Sequence, residues 1–215
     1  SGTGQLIKDG AGTLSLTNNN TYKGGTDVQN GTVSIARAAS LGSGAVTLNQ
    51  DTVLETLSST TLTQNINLLG DATIKTGGNN AVENITQITS TITEKDKQNG
   101  SSSLTKSGAG TLSLTADNGY KGNTTIAEGT LAISRGGSLG NGSQITINNG
   151  ATLKTNQNVT LDDSKNILIV GQGKIDTDGK NSTVEGQITG GVLEKTGSGS
   201  LTLSNTGNNQ NQTVL

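Results

Sequence analysis

Apolar residues recur in short sets two positions apart: Leu14/Leu16, Val33/Ile35, Val46/Leu48 and Ile66/Leu68, then Leu112/Leu114, Leu131/Ile133, Ile145/Ile147, Ile167/Ile169 and Leu201/Leu203. The positions between them are mostly Thr, Ser and Asn, and Gly or Asn bounds most sets. Alternation over about four to six residues predicts short strands with one buried and one wet face. No stretch keeps an i, i+3, i+4 spacing long enough for a helix. The pattern predicts an all-β chain.

The strands belong to a longer repeat. KDGAGTLSLTNNNTYKGGT (Lys8 to Thr26) returns 98 residues later as KSGAGTLSLTADNGYKGNT (Lys106 to Thr124). A third copy opens at Leu193 as LEKTGSGSLTLSNTGN and breaks off. The spacers correspond too, INLLGDATIKTGGNN (Ile66 to Asn80) resembling ILIVGQGKIDTDGKN (Ile167 to Asn181). The repeats run approximately over residues 6–103 and 104–192, with a truncated third from 193. Fixed-period self-similarity of this kind marks stacked architectures. Leu14 to Val33 and Leu112 to Leu131 are both 19 residues apart, about one coil of a three-sided solenoid. In a parallel β-helix such coils stack at ~4.8 Å and like residues align in columns. At roughly 22 residues per coil the chain makes about ten coils, ~45 Å of rod. Gly10, Gly12, Gly24, Gly31, Gly42 and Gly44 supply corners. A pair of β-sandwiches of about 100 residues each is the competing architecture.

Composition favours the narrow interior. Only 28% of residues are hydrophobic and 1% aromatic, with no Phe, Trp or Met, and Tyr22 and Tyr120 are the sole aromatics. A sandwich core usually holds more. Disorder fits poorly, since charged residues are 14%, net charge is −2 and Pro is absent. Lack of Pro suits a backbone whose N–H groups are nearly all used in ladders. No apolar run approaches the ~20 residues of a membrane span. With no basic cluster, nucleic acid is not an expected partner.

The pattern K-x-G-x-G-T-L-x-L, then Y-x-G-x-T, G-T-[VL]-x-I and S-L-G-x-G, stands at Lys8 to Ile35 with Ser40 to Gly44. It stands again at Lys106 to Ile133 with Ser138 to Gly142. It resembles the passenger-associated repeat of bacterial autotransporters. The third copy keeps Lys195, Gly197, Gly199, Leu201 and Leu203 but has Ser200 for Thr and lacks the Tyr half. The resemblance implies a right-handed parallel β-helix, displayed on the cell surface or secreted outside the outer membrane. Residues 1–215 would be one β-helix segment of a longer passenger, its translocator barrel lying outside the segment and no part of it inserting into a membrane. The absence of Cys agrees with passage through an oxidising periplasm without disulfide locking.

Catalytic chemistry is scarce. Without His or Cys, the Ser-His and Cys-His nucleophile arrangements are unavailable. Asp162-Asp163 is the only adjacent acidic pair; in a strand the two side chains would diverge, and a turn before Ile167 is the simpler reading. DTDG (Asp176 to Gly179) lacks the nonapeptide repetition of calcium β-rolls and reads as a turn, and GQG (Gly171 to Gly173) has no helix after it to hold a phosphate. Thr61/Thr63 and Thr91/Thr93 do not recur at one coil period, as an ice-binding face would require. No enzyme activity, cofactor or metal is expected.

Candidate partner contacts are few. Tyr22 and Tyr120 are either exposed contacts or corner covers, and their recurrence favours the second. EKDKQNGSSS (Glu94 to Ser103) reads as an inserted charged loop, with Glu94, Lys95, Asp96 and Lys97 as candidate contacts or as a solvated spacer. The expected role is adhesion, self-association in aggregation or biofilm, or a stalk, with another copy or a host surface protein or glycan as partner. The alternative is a secreted effector binding a host-cell receptor as a toxin or signalling mimic.

Overall fold

The computed structural model describes residues 2–77, 83–95 and 100–215. All strand pairings among them are parallel, so the chain is a β-solenoid of about ten coils and not a pair of sandwiches. The expected coil length holds: Leu14 sits beside Val33, and Leu112 beside Leu131.

Strands stack on three faces. The first carries Leu6–Lys8, Thr26–Val28, Val46–Leu48, Ile66–Leu68 and Ile92–Glu94, and higher up Thr160–Leu161, Ser182–Val184 and Leu201–Leu203. The second carries Thr13–Leu16, Thr32–Ile35, Thr52–Thr56, Ala72–Thr76, Leu104–Ser107, Thr124–Ile126 and Gln144–Ile147. The third begins at Thr60–Leu62 and continues through Ile85–Ile88, Thr111–Leu114, Thr130–Ile133 and Thr152–Thr155. Asn166–Asp176 and Ile188–Thr196 run round the corner between the second and third faces, with irregular register between Ile169 and Gln172. That continuity joins both faces into one 15-stranded sheet. The 3-10 turns Ala38–Leu41 and Gly136–Leu139 replace a strand where the motif reads S-L-G.

The repeat does not return to the face it started on. Leu6–Lys8 opens the first copy on the first face; four coils later Ile92–Glu94 occupies that face, and the second copy opens one face on, at Leu104–Ser107. Leu193 to Lys195, opening the third copy, pair with the third-face stretch Gly173 to Ile175. Each copy therefore begins a third of a turn further round the rod. Equivalent residues of successive copies form no common column, contrary to the simplest expectation for a repeat.

The core is a bore of stacked aliphatic columns. Leu14, Val33, Leu54 and Ile74 are successive register partners on the second face, and the last three are fully buried. Burying one Leu or Ile is worth ~1.5–3 kcal/mol. Each coil contacts only its neighbours, so stability accumulates coil by coil. Corners are tightest where glycines stack: Gly31 has φ +73, and a Cβ there would sit 2.5 Å from the Gly12 carbonyl oxygen and 2.6 Å from that of Gly10. Gly129 (φ +65) repeats this over Gly108 and Gly110.

Candidate functional site: motif corners and outward columns

In LTK (Leu104 to Lys106) Leu104 points inward and Thr105 outward, so strand parity sends Lys106 inward. It lies in the bore between Ile74 and Ile126, fully buried. Its Nζ donates to the carbonyl oxygens of Ser107 (2.9 Å), Gly108 (2.7 Å) and Glu128 (2.9 Å). Burial pushes its pKa down to about 8, the Glu128 carboxylate opposing that in part. Lys8 repeats the arrangement on the first face, donating to Gly10 (2.5 Å) and Asn30 (2.9 Å) carbonyls. Lys195, on the third face, donates to the Gly197 carbonyl. The motif lysine is thus a corner clasp, holding carbonyls that a turn leaves without donors.

The rest of the motif builds the next corner. Tyr120 is fully buried and its hydroxyl shares a hydrogen bond with Thr124 Oγ1 at 2.7 Å; Thr124 donates to the Leu139 carbonyl at 3.2 Å. Burial raises the Tyr120 pKa. Tyr22, half-buried, pairs with Thr26 at 2.7 Å, and Thr26 donates to Leu41 at 3.3 Å. Gly42 and Gly140 lie against the two rings, where a Cβ would come within 2.8 Å of Tyr22 Cδ2 and 2.7 Å of Tyr120 Cε2. Asn20 and Asn118 donate to the carbonyls of Ser40 (2.8 Å) and Ser138 (2.6 Å). Gln64 and Lys165, at equivalent spacer positions, donate to Gly42 (2.8 Å) and Gly140 (2.7 Å). One is an amide and the other an ammonium, yet both satisfy the same carbonyl. Sequence reasoning passed over Lys8, Lys106, Asn20, Asn118, Gln64 and Lys165, although strand parity alone marks the two motif lysines as inward.

The charged insertion divides. Glu94 ends a first-face strand at the position that Leu68 fills one coil below. Its Oε2 accepts from the backbone N–H of Ser102 (3.0 Å) and Lys121 (3.1 Å), tying the loop back to the rod. Lys95 is exposed, its backbone N–H bonded to Leu68. Asp96 and Lys97 lie outside the described residues. Asp162 and Asp163 stand in a turn, where Asp162 accepts from Ser164; the Ser164 side chain does most to hold the Asp162 pKa down. Asp178 (φ 48) and Gly179 (φ 76) form a turn, Asp178 pairing with Lys154 at 3.1 Å. Gly171 (φ 75) turns the corner inside Asn166–Asp176. Among the described residues no group of three His, Cys, Asp or Glu is placed to hold a metal.

The motif's lysines, asparagines and tyrosines are spent on corners, and the outward columns form the regular surface of the rod. Across the second face one such column runs Thr13, Thr32, Val53, Thr73, Thr105, Thr125, Thr146, Leu168, Thr189 and Asn209, each the register partner of the next. It carries no charge along its length. Other columns do. Glu55 and Lys75 pair beside it at 3.0 Å, Lys174 and Glu194 pair at 3.3 Å on the third face, and Asp27 stands in the first-face column. Thr61 and Thr93 lie on different faces, so the Thr-x-Thr pairs share no array.

The passenger-associated-transport-repeat family matches residues 6–35, 104–133 and 193–211, the three copies of the motif. The adhesin BmaC autotransporter of Brucella suis biovar 1 (strain 1330) is 33% identical over 152 residues. That alignment covers 68% of this chain and 4% of the relative, so the chain spans a small fraction of the protein it matches. No solved structure matches it. With three motif copies, a parallel solenoid whose corners the motif's Lys, Asn, Tyr and Gly residues build, and an adhesin as relative, the chain belongs to the autotransporter passengers of adhesin type.

Proposed function

We propose that this segment acts in adhesion outside the outer membrane, as a rod whose second face is a lateral contact, with another copy of the rod as first partner. The supporting observation is the uncharged column from Thr13 to Asn209. Seven of its ten residues are threonines, and hydroxyls on adjacent coils stand ~4.8 Å apart, each worth a fraction of a kcal/mol against a neighbouring rod. Two rods lying side by side engage many such pairs at once, so avidity replaces a deep pocket. A charged column would resist this, because like charges on two identical rods meet. The reading is non-enzymatic. The motif lysines and asparagines are committed to backbone carbonyls, and among the described residues no group of three acidic side chains gathers.

Surface display on a non-clumping bacterium, scored by settling and by host-cell attachment, tests the proposal. Thr73→Lys with Thr125→Lys, two coils apart on the second face, should abolish settling while circular dichroism stays unchanged. Thr111→Lys with Thr152→Lys on the third face should leave it intact. Settling that survives the second-face pair would remove that face from the mechanism. Confirmed display without either settling or attachment would leave a passive spacer.

A further inference from the structure

We infer that a shallow depression on the third face is a subsite for a neutral saccharide. It has a volume of about 400 Å3 and is lined by Ser59, Thr60, Thr61, Ile85, Gln87 and Ser113. Its position follows from the fold. The third-face sheet starts at Thr60–Leu62 because the coil below turns through Ala38–Leu41 instead of adding a strand. On the other side the column runs up from Gln87 to Ser113 and then to Ala132, so a long side chain gives way to short ones.

The lining sets the ligand class. Among the described residues no charged side chain lines it, which disfavours phosphates, carboxylates and ammonium groups. Ser59 Oγ accepts from the Ile85 N–H at 3.0 Å and Thr60 Oγ1 from the Ala38 N–H at 2.9 Å, leaving both hydroxyls free to donate outward. The Gln87 amide and the Thr61 hydroxyl have no hydrogen-bond partner among the described residues, so donor and acceptor capacity stand side by side. Ile85 is 51% exposed and gives an apolar patch beside them. Adjacent donors and acceptors next to a small apolar surface match the vicinal hydroxyls and C–H face of a sugar ring. The volume lies at the low end of small-molecule sites, enough for one or two rings. Such an open site binds weakly, with Kd of ~mM, and gains strength from copies of the rod on one cell. The site shares no residue with the second-face column.

The 215-residue segment, labelled with 15N, is titrated with lactose, maltose and N,N′-diacetylchitobiose, each to ~50 mM, well above the expected Kd. The expected result is a saturable shift of the Gln87 side-chain amide and of the backbone amides around Thr61 and Gln87 with at least one sugar. Gln87→Ala should raise Kd ~tenfold, the value of one good hydrogen bond. Ser113→Leu, which fills the floor without removing Gln87, should abolish the shifts, and Thr146→Ala should change nothing. No saturable shift with any of the three, equal affinity in both site variants, or binding confined to 3′-sialyllactose overturns the inference. Settling through the second face is scored separately, and Gln87→Ala should leave it unchanged, so one reading can fail without the other.

Discussion

Replacing Lys106 by Met keeps the stem in the bore and deletes the ammonium. Three carbonyl oxygens, at 2.7–2.9 Å in the intact corner, lose their donor. Orphaning buried carbonyls costs ~1–3 kcal/mol each, about 5 kcal/mol together. Against this, the variant no longer buries a charge. Burial lowers the Lys106 pKa from 10.5 to about 8, which corresponds to about 3 kcal/mol. The difference leaves Lys106→Met about 2 kcal/mol less stable at pH 7. Between pH 8 and 10.5 the unfolded chain holds the extra proton, so the contribution of Lys106 to stability rises with pH through that window and is flat below it. The gap between the two proteins should therefore widen to about 4 kcal/mol at pH 9.5. Comparing the two at each pH cancels every other titrating group common to both. Guanidinium unfolding followed by circular dichroism gives the gap. Because coils of a solenoid can open separately, hydrogen exchange at Thr124 to Ile126 locates it. A gap near zero at pH 7 would refute the clasp, and one that narrows as pH rises would show that the carbonyls hold the ammonium more strongly than burial opposes it. Lys8 and Lys195 occupy the same motif position in more open surroundings, and their Met variants should each cost less.

Two further outcomes follow from the corners. Gly129→Ala must hold a Cβ at φ +65 and within 2.6 Å of the Gly110 carbonyl, so it should destabilise by more than the ~1–2 kcal/mol of left-handed strain alone. Thermal melting should show it, and Gly12→Ala, where a Cβ meets nothing within 4 Å, should be nearly silent. Tyr120→Phe removes a buried hydroxyl whose partner Thr124 keeps its bond to Leu139, so a loss of ~1 kcal/mol is expected. Tyr22→Phe, at the half-buried equivalent, should lose less, and a larger effect at Tyr22 would contradict the burial order.

Much of the solenoid was legible in the chain because coil stacking is a local rule repeated. Period-two alternation fixes which residues of each strand face inward, and the 19-residue step from Leu14 to Val33 gives the coil. Parity also holds the fate of Lys106 in plain view, since Leu104 and Lys106 must share a face. Its type argued the other way: a lysine reads as solvent-facing until the carbonyls that hold it are known. Those carbonyls come from a turn beside it and from Glu128, 22 residues on, one coil away. The paired lines Gln64 and Lys165 were opaque for the same reason, because an amide and an ammonium look unalike until both meet a glycine carbonyl.

What the sequence by itself determined was the coil: strand parity, glycine corners and a bore filled by small aliphatic side chains. What only the tertiary structure decided was azimuth. One repeat takes four coils and one face, so the second copy opens on the second face and the third on the third. No local signal records that extra face, because it depends on how many turns the spacer makes before the motif returns. The consequence is physical. The uncharged second-face column is assembled from different positions of the repeat, Thr32 from one, Thr105 and Thr146 from others. Only stacking brings them into line.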